Sequence, residues 1–208
     1  LGGPGGGFGP YSNTPEAGPT ESYFFDDPSL YNDFFQDLNS SEPQLEGIIG
    51  TNSDDTLTGD NDDNTLHGLL GDDTLDGGAG SDRMIGGEGN DTYTFGDGID
   101  VIDYSNLQDS ITLVRGGIVD KGESGTDTFT DFYERIIATS NANDWIDGLT
   151  GGGSIASLNV DLSTNSLTVS NLPGIGSFSS SVEGFENVRG SNTADQIVGD
   201  NGINTLIG

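Results

Sequence analysis

From Gly50 the chain divides into six contiguous blocks of nine residues with no gap: GTNSDDTLT, GDNDDNTLH, GLLGDDTLD, GGAGSDRMI, GGEGNDTYT and FGDGIDVID, ending at Asp103. Nothing else constrains the fold as severely, because so short a unit cannot bury a core alone and must stack on its own copies. Position one is Gly in five blocks (Gly50, Gly59, Gly68, Gly77, Gly86), with Phe95 in the sixth, and position four is Gly in four (Gly71, Gly80, Gly89, Gly98). Position six is Asp55, Asn64, Asp73, Asp82, Asp91 and Asp100. Position eight is always apolar: Leu57, Leu66, Leu75, Met84, Tyr93 and Ile102.

Each preference has a physical cause. Glycines in the first half let the backbone take positive φ and turn its carbonyls inward. The last three residues have strand character, with the eighth side chain on one face and its neighbours on the other. A turn followed by a short strand, repeated, winds into a coil. Two nonapeptides close one coil of 18 residues, so turns alternate sides and each block stacks on the next but one. The position-six groups are therefore expected to meet in pairs: Asp55 with Asp73, Asn64 with Asp82, Asp73 with Asp91, Asp82 with Asp100.

Two carboxylates about one strand spacing apart, roughly 4.8 Å, repel each other and raise each other's pKa unless a cation lies between them. Composition points the same way. The chain has 35 acidic residues against 5 basic ones in 208, a formal net charge of -30. That balance repels phosphates and excludes a nucleic-acid partner. Asp supplies 26 of the acidic residues and Glu only 9, a bias towards the short carboxylate of tight turns and hard-cation sites. Calcium suits the gap, since it takes about six to eight oxygen ligands and accepts backbone carbonyls beside carboxylates. The absence of Cys excludes disulfides and thiolate zinc sites. No apolar run approaches the roughly 18 residues that would span a bilayer, so membrane insertion is not expected.

The six nonapeptides resemble the RTX, or haemolysin-type, calcium-binding repeat, written GGxGxDxUx with U a large apolar residue. The resemblance covers residues 50–103 and implies an all-β fold, a parallel β-roll or β-solenoid whose turns bind Ca2+ and whose apolar residues stack inside. It also implies a protein secreted by bacteria that folds on meeting external calcium. Asn64 departs from the pattern, so the Asn64–Asp82 site is expected to be the weakest of four. Thr51, Asp60 and Leu69 replace the second glycine in the first three blocks, which alters the turn geometry expected there.

Residues 190–207 repeat the pattern twice more as GSNTADQIV and GDNGINTLI, with Asp195 and Asn204 at position six. Consecutive turns lie on opposite sides of a coil, so neither is expected to find its stacking partner within the chain. A degenerate echo, ATSNANDWIDG over 138–148, carries one extra residue that shifts Asp144 out of register, and FYERI before it parallels FENV before the C-terminal pair. Val160 and Leu162 lie across an STNS turn from Leu167 and Val169, the pattern of a hairpin or a pair of rungs. Residues 104–189 are thus expected to continue the β-structure less regularly, between a roll at 47–103 and C-terminal repeats at 190–208. Such runs resemble large cyanobacterial RTX exoproteins.

The N-terminal part differs. Residues 1–26 are rich in Gly and Pro and read as an extended tail. Asp27 and Pro28 begin a helical pattern in which Leu30, Tyr31, Phe34, Phe35 and Leu38 share a face, a short capping helix over 28–39 within a segment 27–46. Its expected duty is to cover the first rung of the roll, with a partner-binding helix as the alternative. Leu1 heads the chain with no basic segment and apolar stretch behind it, so the native start is expected to have been removed.

Catalysis finds little support. The one histidine, His67, stands at position nine of the second block and reads as a rung side chain; neither HExxH nor GxSxG occurs, and Trp145 reads as a rung residue. The expectation is a secreted, non-enzymatic, calcium-binding structural protein, folding on extracellular calcium with affinity near roughly 10⁻⁴ to 10⁻³ M. Its expected partner is itself: the C-terminal turns would meet a neighbour's tail or first rungs, giving a head-to-tail filament or surface layer. Two alternatives remain open at this point, the calcium-binding portion of a larger secreted enzyme or adhesin and a monomeric calcium-binding module.

Overall fold

A stretch of alternating turns and three-residue strands can satisfy its backbone only by pairing each strand with the one two blocks away, and the chain does this from Gly47 onwards. A computed structural model describes residues 47–114, 116–130, 133–149, 156–172 and 176–208. The Gly/Pro-rich tail, the helix expected over 28–39 and the linker to 46 lie outside them. All the described residues belong to one compact unit, Ser41–Gly208.

In the regular part the strands alternate between two sheets. β1 (Gly47–Ile49), β3 (Thr65–Leu70), β5 (Arg83–Glu88) and β7 (Val101–Asp103) pair in parallel in one sheet. β2 (Thr56–Thr58), β4 (Thr74–Ala79) and β6 (Thr92–Asp97) do so in the other. Every pairing is offset by two blocks: Ile48 opposes Leu66, Leu66 opposes Met84, Leu57 opposes Leu75, and Leu75 opposes Tyr93. All six position-eight side chains are buried between the sheets. Each contributes about 1.5–3 kcal/mol of burial, which a one-residue slip would forfeit by turning the side chain outward.

Beyond Asp103 the two sheets continue but the chain reaches them irregularly. β8 (Thr112–Val114), β9 (Ile118–Asp120) and β10 (Thr126–Phe129) form an antiparallel meander, with a 3-10 turn at Gly122–Ser124, and β10 returns in parallel to β6 with Tyr93 opposite Phe129. β11 (Arg135–Ile137) stacks on β7, and β12 (Trp145–Asp147) on β8. The expected hairpin is β13 (Ser157–Asp161) against β14 (Ser166–Leu172), with Val160 opposite Leu167, and β15 (Gly176–Glu183) runs antiparallel to β14. β16 (Asn187–Arg189), β17 (Gln196–Val198) and β18 (Thr205–Ile207) close the chain.

The C-terminal repeats depart from expectation. Both find a rung within the chain, because the irregular segment supplies one: β17 pairs in parallel with β13 and β18 with β16. One apolar stack still runs through both halves, with Ile102 opposite Ile136 and Ile136 opposite Val182. Among the described residues there is no α-helix, and no helix is long and apolar enough to cross a membrane.

Ile136, 0% exposed, splices the regular stack to the irregular one. Ile136→Ala is expected to cost about 2–5 kcal/mol in urea unfolding at saturating calcium, whereas Ile203→Ala, at a residue 93% exposed, should change stability by no more than about 0.5 kcal/mol.

Candidate metal centre

The position-six side chains sit where each turn hands over to its strand, and they do not face one another as bare carboxylates. In each regular pair the backbone N–H of the earlier residue donates to Oδ1 of the later one: Asp55 to Asp73 (2.8 Å), Asn64 to Asp82 (2.8 Å), Asp73 to Asp91 (3.0 Å) and Asp82 to Asp100 (2.8 Å). This stagger uses one carboxylate oxygen and leaves the other to be accounted for.

Position two decides the account. In five repeats its N–H closes back on the position-six group of its own turn: Thr51 on Asp55 (2.6 Å), Asp60 on Asn64 (2.7 Å), Gly96 on Asp100 (3.3 Å), Ser191 on Asp195 (2.7 Å) and Asp200 on Asn204 (2.9 Å). In the other three, position two is left-handed: Leu69 at φ 86°, Gly78 at 91° and Gly87 at 106°. The N–H of Gly78 goes to Asp76 Oδ1 instead (3.2 Å). The consequence is that Oδ2 of Asp73 and Oδ2 of Asp82 are buried without a hydrogen-bond partner. The third such oxygen, Asp91 Oδ2, meets the Lys121 ammonium.

An orphaned, buried carboxylate oxygen is costly and asks for a cation. The surroundings fit a hard one. A Cβ added to Gly68 would meet Asp73 Oδ2 and lie 2.6 Å from the carbonyl oxygen of Gly86, and one on Gly77 would lie 2.5 Å from Asp82 Oδ2. Position-one glycines thus keep open a space edged by carboxylate and carbonyl oxygen, the donor set of calcium. Among the described residues no three His, Cys, Asp or Glu side chains cluster as a metal group, so any ion held here draws most of its ligands from the backbone. Asp73 and Asp82 would hold it, with Asp91 and Asp100 supplying the next rung's carboxylates.

The other expected site residues are placed differently. Asp55, Asn64 and Asp100 are closed by their own turns as described, and Asn64 Nδ2 also donates to Asp60 Oδ1 (3.3 Å). Asp195 takes the N–H of Leu158 on Oδ1 (2.8 Å). Asn204 has the N–H of Asp200 on its Oδ1 and donates from Nδ2 to Asp200 Oδ1 (2.9 Å). His67 is half-buried in β3, its pKa lowered by burial and by the charge of Arg83.

The structure adds rung carboxylates that the regular blocks conceal. Residues 122–130, GESGTDTFT, form a complete further nonapeptide, with Gly122 and Gly125 at positions one and four, Asp127 at six and Phe129 at eight. Asp127 Oδ1 accepts the N–H of Asp91 at 3.0 Å. Glu134 takes the N–H of Asp100 (3.4 Å) and Glu186 that of Asp144 (3.0 Å). Asp144 itself is in register, contrary to the expected shift: it is buried and accepts the N–H of Ile111 (2.7 Å), while Thr139, at position one of its block, donates its hydroxyl to Oδ2 (2.7 Å). A second ladder runs the opposite way at position five, where Asp54 accepts from Asp72 (2.9 Å), Asp63 from Ser81 (2.7 Å) and Asp72 from Asn90 (2.7 Å). Its signal was a polar residue at position five of the first five blocks.

Comparison with known proteins agrees with this geometry. The family described as RTX calcium-binding nonapeptide repeat matches residues 48–75, 67–102 and 188–208, in four copies. The chain carries RTX calcium-binding repeats. No curated protein matches it. Among solved structures it is similar to the AlgE6R3 subunit of the mannuronan C5-epimerase of Azotobacter vinelandii, at 27% identity over 69% of this chain and 78% of that one, with a TM-score of 0.32.

Burial raises the Asp73 carboxyl to about 6, opposed by the N–H of Asp55 and reinforced by the charges of Asp91, Asp55 and Asp54. Asp82 is raised for the same reasons, with Asp100, Asp63 and Asp60 as its neighbours. A folded-state pKa above the unfolded one means that the metal-free fold binds the extra proton. Its stability is therefore greatest at the acid end of the interval from the ordinary 3.8 to about 6 and declines as pH rises through it. A bound cation must displace that proton. Calcium affinity is accordingly expected to rise from pH 5 to pH 7 in direct titrations, and an affinity that did not change would contradict the assignment. In the same titration Asp73→Asn should weaken binding about tenfold or more, roughly 1.4 kcal/mol. Asp54→Asn, in the exposed outer ladder, should change it by no more than about twofold.

Proposed function

We propose that this chain is a secreted, non-enzymatic structural module whose RTX roll folds on calcium at the Asp73 and Asp82 turns and associates end to end with copies of itself. The observation that carries the calcium assignment is the pair of buried, unpartnered oxygens on Asp73 and Asp82. Burying them without a cation opposes folding, so binding and folding are coupled. Sites of this carbonyl-rich kind bind in the range of extracellular modules, about 10⁻⁴ to 10⁻³ M, which suits a chain that folds outside the cell.

A structural role is favoured because the carboxylates are committed to the ladder. Position-six groups hold backbone N–H donors, position-five groups hold others, and Asp103, Asp147 and Glu183 pair with Arg83, Arg189 and Arg135. Around His67, Ile85, Glu88, Asp103 and Tyr104 border a depression of about 330 Å³, but Asp103 is already held by Arg83 there. Self-association is favoured by the outermost strands, β1 and β17 of one sheet and β2 and β18 of the other. Each has three residues and, among the described residues, pairs with a strand on one side only, and a sheet edge of this type accepts another strand. Contact of unlike ends propagates along an axis.

Chelation is expected to abolish much of the β-sheet circular dichroism of the 208-residue chain, with recovery on adding calcium; a spectrum indifferent to chelator would refute the coupling. Size-exclusion chromatography and negative-stain microscopy with calcium should show assemblies that lengthen with concentration. A stable monomer at high concentration would leave the monomeric calcium-binding module as the reading.

A further inference from the structure

We propose that Lys121 is a resident cation of the ladder: its ammonium occupies the Asp91–Asp127 rung in place of a metal ion, so that this rung forms without calcium. The inference rests on the calcium reading of the Asp73 and Asp82 turns and adds which rung takes none.

Lys121 is fully buried. Its Nζ donates to Asp91 Oδ2 at 2.9 Å, approaches Asp127 Oδ1 at 2.6 Å and donates to the carbonyl of Gly87 at 2.8 Å. Those acceptors are the free oxygen of one position-six carboxylate, the N–H-accepting oxygen of the next, and the carbonyl of a left-handed position two. The frame is that of the Asp73 and Asp82 turns. Asp91 donates its N–H to Asp127 as Asp55 does to Asp73, and Gly87 shares the positive φ of Leu69 and Gly78. What differs is the occupant. At Asp73 and Asp82 the second oxygen is unpartnered; at Asp91 it is held by a cation covalently part of the chain.

The rung is closed on every side. An ammonium has three donors and no acceptor, and all three are engaged. The remaining oxygen of Asp127 accepts from Tyr104 (3.0 Å) and Tyr93 (3.3 Å), and the Tyr93 hydroxyl in turn accepts the N–H of Gly86 (3.0 Å). A calcium ion entering would meet a buried like charge and no vacant oxygen. The position of Lys121 explains how it reaches the rung: it immediately precedes GESGTDTFT, and the meander of β8 and β9 brings it there. Thr139 does a milder form of the same service, its hydroxyl meeting the second oxygen of Asp144. Past residue 90 the chain thus supplies from within itself what the Asp73 and Asp82 turns lack.

Calcium binding to the whole 208-residue chain, measured by equilibrium dialysis for the wild type and for Lys121→Met, tests the idea. The variant is expected to bind one more calcium per chain than the wild type, and its melting temperature should fall further on chelation and recover in excess calcium. Equal stoichiometry, with a wild type that binds calcium, overturns the resident-cation proposal alone. A wild type that binds none overturns the calcium reading as well. Amide exchange of the wild type in chelator gives a second measure, independent of whether the variant folds. The amides of Asp91 and Thr128, bonded to Asp127 Oδ1 and to the Asp91 carbonyl, should outlast those of Asp82 and Asn64 at least about tenfold. Comparable rates at Asp91 and at the equally buried Asp82 would overturn the proposal whatever the variant does.

Discussion

The fold depends on one hydrogen bond repeated along its length: the position-six N–H of one turn donating to the carboxylate 18 residues later. Charge-assisted bonds of this kind are worth about 1.5–3 kcal/mol, and here each does more than stabilise. It fixes the register of coil upon coil, so that Leu66 meets Met84 and not its neighbour. It holds a carboxylate inside the turn, where its charge would otherwise keep it in water. By occupying one oxygen, it defines what the other must find.

The second oxygen has three solutions in this chain, and they sort the turns by role. A position-two residue with ordinary φ returns its N–H, and the turn is self-contained. A side-chain donor, Lys121 from the meander or Thr139 from position one of the same block, completes a second class. A left-handed position two withholds the N–H, and at Asp73 and Asp82 the oxygen is left unpartnered. Leu69 is the informative case, because a non-glycine residue at φ 86° carries a penalty of about 1–2 kcal/mol that glycine would avoid. Strain is thus retained at a turn whose carboxylate oxygen is unpartnered, the place where a candidate metal site would hold it. The substitution that looked like a defect in the repeat keeps the open geometry regardless.

Reading the sequence recovered what periodicity controls. Glycine, Asp and an apolar residue recurring every nine positions specify two alternating sheets, a two-block offset and the identity of the stack from Leu57 to Ile102. What lay outside the period was less legible. Asp127 belongs to a sound nonapeptide but stands 36 residues after Asp91, separated by a meander that hides the register. Asp144 seemed displaced because its block opens on Thr139 instead of glycine, and that very substitution supplies the hydroxyl that completes the rung. Asp195 and Asn204 seemed partnerless because the hairpin supplying the rung of Asp195, and the FENV strand supplying that of Asn204, carry no glycine signal. Which turns are open could not be read from position six at all. It is decided by backbone φ at position two, where Leu69 and Thr51 look equivalent as letters and behave oppositely.

The distribution of charge follows from the same sorting. Residues 50–103 hold 13 Asp and one Glu against a single Arg, yet the carboxylates are not equivalent electrostatically. Those at position five are exposed or near the surface and are screened by water. Those at position six from Asp73 to Asp100 are interior, where repulsion is strong and screening weak. Of these, Asp91 has a lysine, Asp100 has its own turn, and Asp73 and Asp82 have neither. The demand for external positive charge is therefore concentrated in two adjacent turns on opposite sides of the coil, not spread along the ladder. Because Asp73 donates its N–H to Asp91, and Asp91 to Asp127, the Asp73 turn is stacked directly on one that carries its own cation, while the Asp82 turn is stacked on that of Asp100, which Gly96 closes.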